Sequence, residues 1–274
     1  MTRLFFISLI IFAAGLGSTA QAQPGSIRDL PQAGKVALTP YGGTEFDIDG
    51  TFFGAASESL TGTFLGGALS TTVTFSADEQ SFSDVYELPM VFGFGFNYGL
   101  SKTGELFGGF RYTRAEAKEF DALGVSANIT FAGVAVLSGS GRITGEFDDY
   151  KAFGGEIGYR HFFLNTKSFT PFVSGALGFK KTQDINLDLS FNGASLLDDV
   201  KFYDDAFTGT AALGFGFRYN VSQGVTLGVE TGLRFEGSLS EDDTDLTGGG
   251  SFENINDDGD RLSFPLLVRL NIAL

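Results

Sequence analysis

A strict two-residue alternation over residues 87–100, ELPMVFGFGFNYGL, constrains this chain more than any other stretch. Leu88, Met90, Phe92, Phe94, Phe96, Tyr98 and Leu100 occupy one face, and Glu87, Pro89, Val91, Gly93, Gly95, Asn97 and Gly99 the other. Period two is the mark of a β-strand. Fourteen residues exceed the usual soluble strand of about five or six but suit the ~9 to 11 tilted residues that cross a bilayer, with overhang. In a soluble sandwich the aromatic face would fill a core and the small face would meet water. In a transmembrane barrel the aromatic face meets lipid, and the glycine-rich face lines a narrow interior.

The same hairpin is written three times. Residues 91–114 (VFGFGFNYGLSKTGELFGGFRYTR) and 212–235 (ALGFGFRYNVSQGVTLGVETGLRF) are close copies, and 154–180 (GGEIGYRHFFLNTKSFTPFVSGALGFK) is a looser one. The aromatic before each turn, Tyr98, Tyr159 and Tyr219, recurs after 61 and then 60 residues, the period of an array of supersecondary units. Alternation elsewhere predicts a first strand over Lys35–Ile48, a second over Asp84–Leu100, a third to Arg114, and a fourth over Tyr150–Phe163. A fifth starts at Thr170, the sixth and seventh cover Ala206–Tyr219 and Val225–Phe235, and the last runs from Leu262 to Leu274. Pro40 sits oddly inside the first, because proline donates no ladder hydrogen bond. The fold expected is all-β: a transmembrane, antiparallel, up-and-down β-barrel of eight strands, or ten if alternating pieces within 49–83 and 115–149 add a hairpin.

Residues 1–22 combine Arg3, an apolar run from Leu4 to Ala14 and Ala20-Gln21-Ala22, the layout of a secretory signal peptide. Residues 23–34, with two prolines and two glycines, read as a flexible lead-in, and 35–274 as the barrel domain. Hydrophobic residues make up 43% of the chain and phenylalanine alone contributes 31. Beyond residue 22 no apolar stretch is long enough for a spanning helix, so the mature chain would cross a bilayer only as a closed barrel. There is no cysteine, and a closed hydrogen-bonded ladder would hold an exported chain without disulfides.

Charge divides along the chain. Of 33 acidic residues, 23 lie in four long connections at 49–83, 115–149, 182–204 and 237–260, with only three basic residues among them. So acidic a surface disfavours nucleic-acid binding. Short turns alternating with long connections fit periplasmic turns and extracellular loops.

The signal peptide, the hairpins FGFGFNYGLSKTGELFGGFRYT and LGFGFRYNVSQGVTLGVETGLRF, the segment TPFVSGALGF and the terminal alternating strand resemble the small outer-membrane β-barrel family, which includes the OmpA-like transmembrane domain and the opacity-type surface antigens. The resemblance implies an eight-stranded barrel in a Gram-negative outer membrane, serving as a structural protein, an adhesin or a narrow pore. It implies as partners the membrane lipids, lipopolysaccharide and the barrel-assembly machinery, which would read the C-terminal strand. A host or surface ligand at the acidic loops completes the expected partners, with one barrel per functional unit.

On the inward parity, Glu45, Glu87, Glu156 and Glu230 face Arg111, Arg160, Arg218, Arg234 and Arg269. An eight-stranded barrel leaves room for side chains only, so these nine are expected to form an ion-pair network that plugs the lumen. A gated narrow channel is the alternative. Outer-membrane enzymes generally need a histidine base; the one histidine, His161, shares the outward parity of Tyr159, so no catalytic residue and no cofactor is expected. Asn254, Asn256, Asp258, Gly259 and Asp260 partly match a calcium loop, but Pro265 replaces the twelfth-position Glu and no helices flank it. A solvated loop without metal is the better reading.

Overall fold

The computed structural model describes residues 33–163, 169–241, 256 and 259–274. The expected signal peptide and all but the end of the lead-in lie outside these residues. Strands β1 (Val36–Asp49), β2 (Thr51–Phe53), β3 (Ala56–Phe64), β4 (Leu69–Ala77) and β5 (Gln80–Ser81) precede a short helix, α1 (Phe82–Val85). Then come β6 (Met90–Gly99), β7 (Gly104–Ala115), β8 (Phe120–Phe131), β9 (Val134–Phe147), β10 (Tyr150–Phe162) and β11 (Phe169–Thr182). The chain finishes with β12 (Ile185–Phe191), β13 (Ala194–Asp204), β14 (Ala206–Ser222), β15 (Val225–Glu236), β16 (Ser240–Glu241) and β17 (Arg261–Ala273).

Eight of these strands close an antiparallel barrel in the order β1-β17-β15-β14-β11-β10-β7-β6. Closure runs from Ala37 against Ala273 to Asp49 against Leu262, with a register shift after Asp47. The alternation dictates which side of each strand faces in. On β6, Val91 and Asn97 are buried while Phe92, Phe94, Phe96 and Tyr98 are exposed. Around the wall, Phe110, Ile157, Leu177 and Leu213 are 71%, 67%, 69% and 72% exposed, so the barrel wears its apolar surface outside. Glycines inside let strands approach: a Cβ on Gly109 would stand 2.6 Å from the Phe94 carbonyl oxygen and 2.7 Å from the Gly95 Cα.

Proline is tolerated where the ladder is interrupted on one side. Pro40 pairs with Phe94 of β6, while the register of β1 to β17 passes from Leu38 to Tyr41. Pro265 likewise pairs with Glu45 of β1 and is skipped on the β15 side, where its carbonyl instead accepts a bond from the Thr231 hydroxyl at 2.7 Å.

The two extra strands that a ten-stranded barrel would need lie elsewhere. The long connections form a second, seven-stranded sheet, β16-β13-β12-β9-β8-β4-β3, together with the small β2-β5 pair. The β7/β10 hairpin continues into β8/β9 and the β11/β14 hairpin into β12/β13, each after a break of one to four residues. Two of the tips turn through Ala132-Gly133 and Asn192-Gly193, all at positive φ, as a two-residue type I′ hairpin requires. The face of this sheet continuous with the lumen carries Ile143, Phe147, Ile185, Leu187 and Leu189 into an aromatic-rich core with Phe52, Phe53, Phe82, Tyr86, Phe120, Phe202 and Tyr203.

One expected strand is shorter than its alternation. The second barrel strand begins at Met90 rather than Asp84, because Ser81 and Asp84 form a capping box that winds 82–85 into a helical turn. Glu87 therefore falls in the connection ahead of β6 and is exposed. It is not a lumen residue, and that part of the expected network is corrected.

Candidate functional site

Antiparallel pairing brings inward side chains from all eight barrel strands onto one axis. At the short-turn end is a neutral layer: Asn97 Nδ2 donates to Thr39 Oγ1 at 2.9 Å and to Asn271 Oδ1 at 2.8 Å, and the Thr39 hydroxyl donates to Asn271 Oδ1 at 3.1 Å. Glu105 accepts a two-pronged bond from Arg218, at 2.8 and 2.9 Å, and a third from Arg160 at 2.6 Å. Forked guanidinium–carboxylate geometry of this kind is the strongest form of the interaction.

Arg160 bridges upward to Glu230 at 2.9 Å, and Glu230 also meets Arg269 at 2.6 Å and the Ser174 hydroxyl at 2.6 Å. Arg269 reaches Glu156 at 3.9 Å, and Glu156 meets Arg234 at 2.9 Å. Arg234 also holds Glu236 at 3.1 Å, which is shared with Lys180 at 2.8 Å and Arg261 at 3.5 Å. Glu45 pairs with Arg111 and, at 3.2 Å, with Arg261, which in turn pairs with Asp47. Among the described residues, six acids and seven bases thus form one unbroken chain of contacts from Arg218 to Asp47.

Each acid in the column except Asp47, which meets Arg261 alone, touches two or more cations, which is how burial of so many charges is tolerated. Inward aromatics complete the solvation. The Arg160 guanidinium lies between the rings of Phe107 and Phe172 at 4.5 and 4.7 Å, Arg218 lies over Phe162 at 4.7 Å and Arg269 over Tyr41 at 4.4 Å. A cavity of about 30 Å³ is lined by Arg111, Glu156, Ser174, Glu230, Arg234 and Arg269 of the column, room for about one or two waters.

A lid of aromatic side chains closes the end toward the long connections. Phe82 stands edge-on to Tyr150 at 5.0 Å and under the Arg261 guanidinium at 4.3 Å. Phe52 makes edge contacts with Phe82, Tyr86, Phe147 and Tyr203. Hydrogen bonds pin the lid: Tyr203 Oη to the Phe52 carbonyl at 2.8 Å and Lys180 Nζ to Tyr150 Oη at 2.9 Å. Tyr86, outside the barrel strands, is fully buried, and this burial pushes its phenol well above its ordinary range, with Tyr150 and Asp148 adding to the effect.

Of the nine expected network residues, Glu45, Arg111, Glu156, Arg160, Arg218, Glu230, Arg234 and Arg269 all lie in this column. Asp47, Glu105, Lys180, Glu236 and Arg261 were not anticipated. Asp47 falls inside the expected first strand on the face of Glu45 and was only left out of the network, whereas Lys180, Glu236 and Arg261 stand on the inward parity one step beyond the outermost inward residue expected on their strands, so continuing those alternations by two residues toward the long connections would have found them. His161 lies on β10 with its Nδ1 3.3 Å from Tyr159 Oη. Asn256, Gly259 and Asp260 of the partial calcium motif are described, Asp260 being exposed, and Asn256 Nδ2 donates to the Phe202 carbonyl at 3.0 Å; Asn254 and Asp258 lie outside the described residues. Among the described residues no cluster of three or more His, Asp or Glu is placed to hold a metal.

No family model matches the chain, and no curated protein matches it in sequence. Among solved structures it is similar to the N-terminal β-barrel domain of Pseudomonas aeruginosa OprF, at 12% identity over 88% of this chain and 98% of that one with a TM-score of 0.35. It is similar to the outer membrane protein OprG of the same organism at 14% identity, 89% and 98% coverage and a TM-score of 0.31, and to the translocator domain of the Neisseria meningitidis autotransporter NalP at 12%, 99% and 95%, and 0.29. At such identities and scores the likeness carries nothing about function, which rests on the residues themselves.

Proposed function

We propose that this chain is an outer-membrane β-barrel of a Gram-negative bacterium that acts at the cell surface, as a surface antigen or adhesin, with a lumen closed to solutes. The apolar outer wall and the closed ladder suit a bilayer, where an open sheet would leave backbone groups unpaired in hydrocarbon. Short turns at one end and long acidic connections at the other suit a periplasmic and an outer side. Lipid and lipopolysaccharide are the partners of the wall, and the last strand, β17, is the segment offered to the barrel-assembly machinery. The reading is non-catalytic and needs no cofactor.

The observation that carries the closed lumen is the unbroken ion-pair column beneath an aromatic lid. Opening a water path would pull apart these buried pairs, at about 3 to 5 kcal/mol for each charge left without its partner. The test is single-channel conductance of refolded protein in planar bilayers, after a heat-modifiable gel shift has shown a folded barrel. The expected result is a silent bilayer. Stable openings whose conductance changes in Arg218→Gln or Glu230→Gln would overturn the closed lumen and favour a narrow pore.

A further inference from the structure

Outward rings belt the barrel near the long connections. Phe46 stands against Phe264 across β1 and β17, Tyr112 lies 4.8 Å from Phe153, and Phe179 stacks on Phe207 at 5.0 Å. Such a belt marks the level where hydrocarbon gives way to headgroups. One step beyond it, on the adjacent strands β7, β10 and β11, Arg114, Lys151 and Lys181 share the outward parity of Tyr112, Phe153 and Phe179. Among the described residues, no other barrel strand carries a cation on its outward face at this end.

The three cations form one cluster. Arg114 is paired directly with Lys151, and Lys181 is paired with Phe153, two residues along from Lys151, so neighbours in the cluster stand about 5 to 8 Å apart at Cβ. Arg114 meets Asp149 at 2.7 Å and Lys181 meets Asp205, both in exposed pairs, which hold weakly and exchange readily. Lys151, between them, has no ion pair among the described residues. The carboxylates of Glu116, Asp149 and Asp205 beside the cations accept hydrogen bonds from hydroxyls. The sector thus offers donors to a phosphate and acceptors to a sugar, which is what a phosphorylated sugar requires.

Toward the midplane from Lys181 the wall dips. A groove of about 380 Å³ is lined by Gly175, Leu177, Ala211, Leu213, Leu233 and Phe235 on β11, β14 and β15. Small outward residues make it, and at Gly209 beside it a Cβ would meet nothing within 4 Å. Leu177 is four residues, about 13 Å, down β11 from Lys181, within reach of an acyl chain whose headgroup sits at that cation. We infer that this sector binds the phosphorylated, acylated sugar anchor of lipopolysaccharide, with Arg114, Lys151 and Lys181 on a phosphate and one acyl chain in the groove. The site rests on the outer-membrane reading above and gives its lipopolysaccharide partner a place on the wall.

The refolded chain, shown by a heat-modifiable gel shift to be a barrel, is mixed in detergent with bisphosphorylated lipid A, dephosphorylated lipid A or phosphatidylglycerol. Bound lipid is counted by native mass spectrometry. The expected result is one bisphosphorylated lipid A per barrel, held about tenfold or more tighter than either of the other two. Arg114→Gln, Lys151→Gln and Lys181→Gln together should weaken it by about the same factor. Lys35→Gln, Lys102→Gln and Arg142→Gln, an equal change of charge at exposed positions away from the sector, should leave it unchanged. Ala211→Phe fills the groove and should also weaken binding; unchanged binding in that variant would overturn the acyl-chain part of the site. A folded barrel that holds dephosphorylated lipid A or phosphatidylglycerol as tightly as the bisphosphorylated form, or that loses lipid A equally in both triple variants, would overturn the phosphate site and leave the barrel standing. A chain that gives no heat-modifiable barrel would overturn the outer-membrane reading and the site with it.

Discussion

Removing Arg234 tests the central feature of the lumen. Its guanidinium holds Glu156 at 2.9 Å, Glu236 at 3.1 Å and the Thr210 hydroxyl at 3.3 Å. In Arg234→Leu, Glu236 keeps Lys180 and Arg261, but Glu156 keeps only Arg269, at 3.9 Å. Leaving a buried carboxylate so weakly paired costs about 3 to 5 kcal/mol, and the partners that remain place this case near the lower figure. With a urea slope of about 2 kcal/mol per molar, the unfolding midpoint of the refolded barrel should fall by about 1.5 M. Arg142 offers the control, since its pair with Asp121 in the outer sheet is largely solvent-exposed and is worth no more than about 1 kcal/mol. Adding Glu156→Gln to Arg234→Leu removes the stranded charge and should restore part of the loss, as a double-mutant cycle would register. Equal midpoints for Arg234→Leu and Arg142→Leu would refute the column as a source of stability.

Three further outcomes follow from other parts of the molecule. Among the described residues the buried Tyr86 hydroxyl has no hydrogen-bond partner, so Tyr86→Phe should be neutral or stabilising by up to about 1 kcal/mol in the same urea assay. Its folded pKa is raised; the stability it contributes is therefore complete below the ordinary phenol range near 10 and lost as pH climbs through the folded value, so alkaline loosening of the lid should be weaker in Tyr86→Phe, as followed by tyrosinate absorbance. Phe147 packs within 5.1 to 5.2 Å of the rings of Phe52, Phe120 and Phe202, and Phe147→Ala should weaken the lid by about 3 to 5 kcal/mol. Faster hydrogen exchange in the lid with unchanged heat-modifiability and an unchanged silent bilayer is expected, because the column below it remains. Gly109→Ala would press a methyl against the Phe94 carbonyl and the Gly95 Cα, and a loss of about 1 to 3 kcal/mol should appear as a lower refolding yield.

The column was legible wherever a strand's alternation was followed to its true end. Eight of its members were readable because a charge at the membrane midplane would cost roughly 2 to 4 kcal/mol if it faced lipid, which leaves the inside as the only place for it. Lys180, Glu236 and Arg261 were missed where the strands run further than their most regular stretch, Glu105 because it sits beside the Ser101–Gly104 turn, and Asp47, although on the Glu45 face of the expected first strand, was not counted among the lumen charges. Glu87 was misplaced for the opposite reason: alternation persists through residues that a capping box winds into a helical turn. Local hydrogen bonding there outweighs a periodicity that records only which side chains are apolar.

The sequence by itself determined the barrel, its inside and outside, and the division into short turns and long connections, because period-two patterning and the cost of unpaired backbone in hydrocarbon leave one solution. The lid and the outer sheet were decided only in three dimensions. Phe52, Phe82, Phe120, Phe147 and Phe202 are scattered through polar connections and become a core only when β8/β9 and β12/β13 prolong the barrel hairpins and lay them side by side. Alternation marks a strand, but whether both sides of it find a partner depends on which strands its neighbours leave free, a property of the assembled sheet rather than of any one segment.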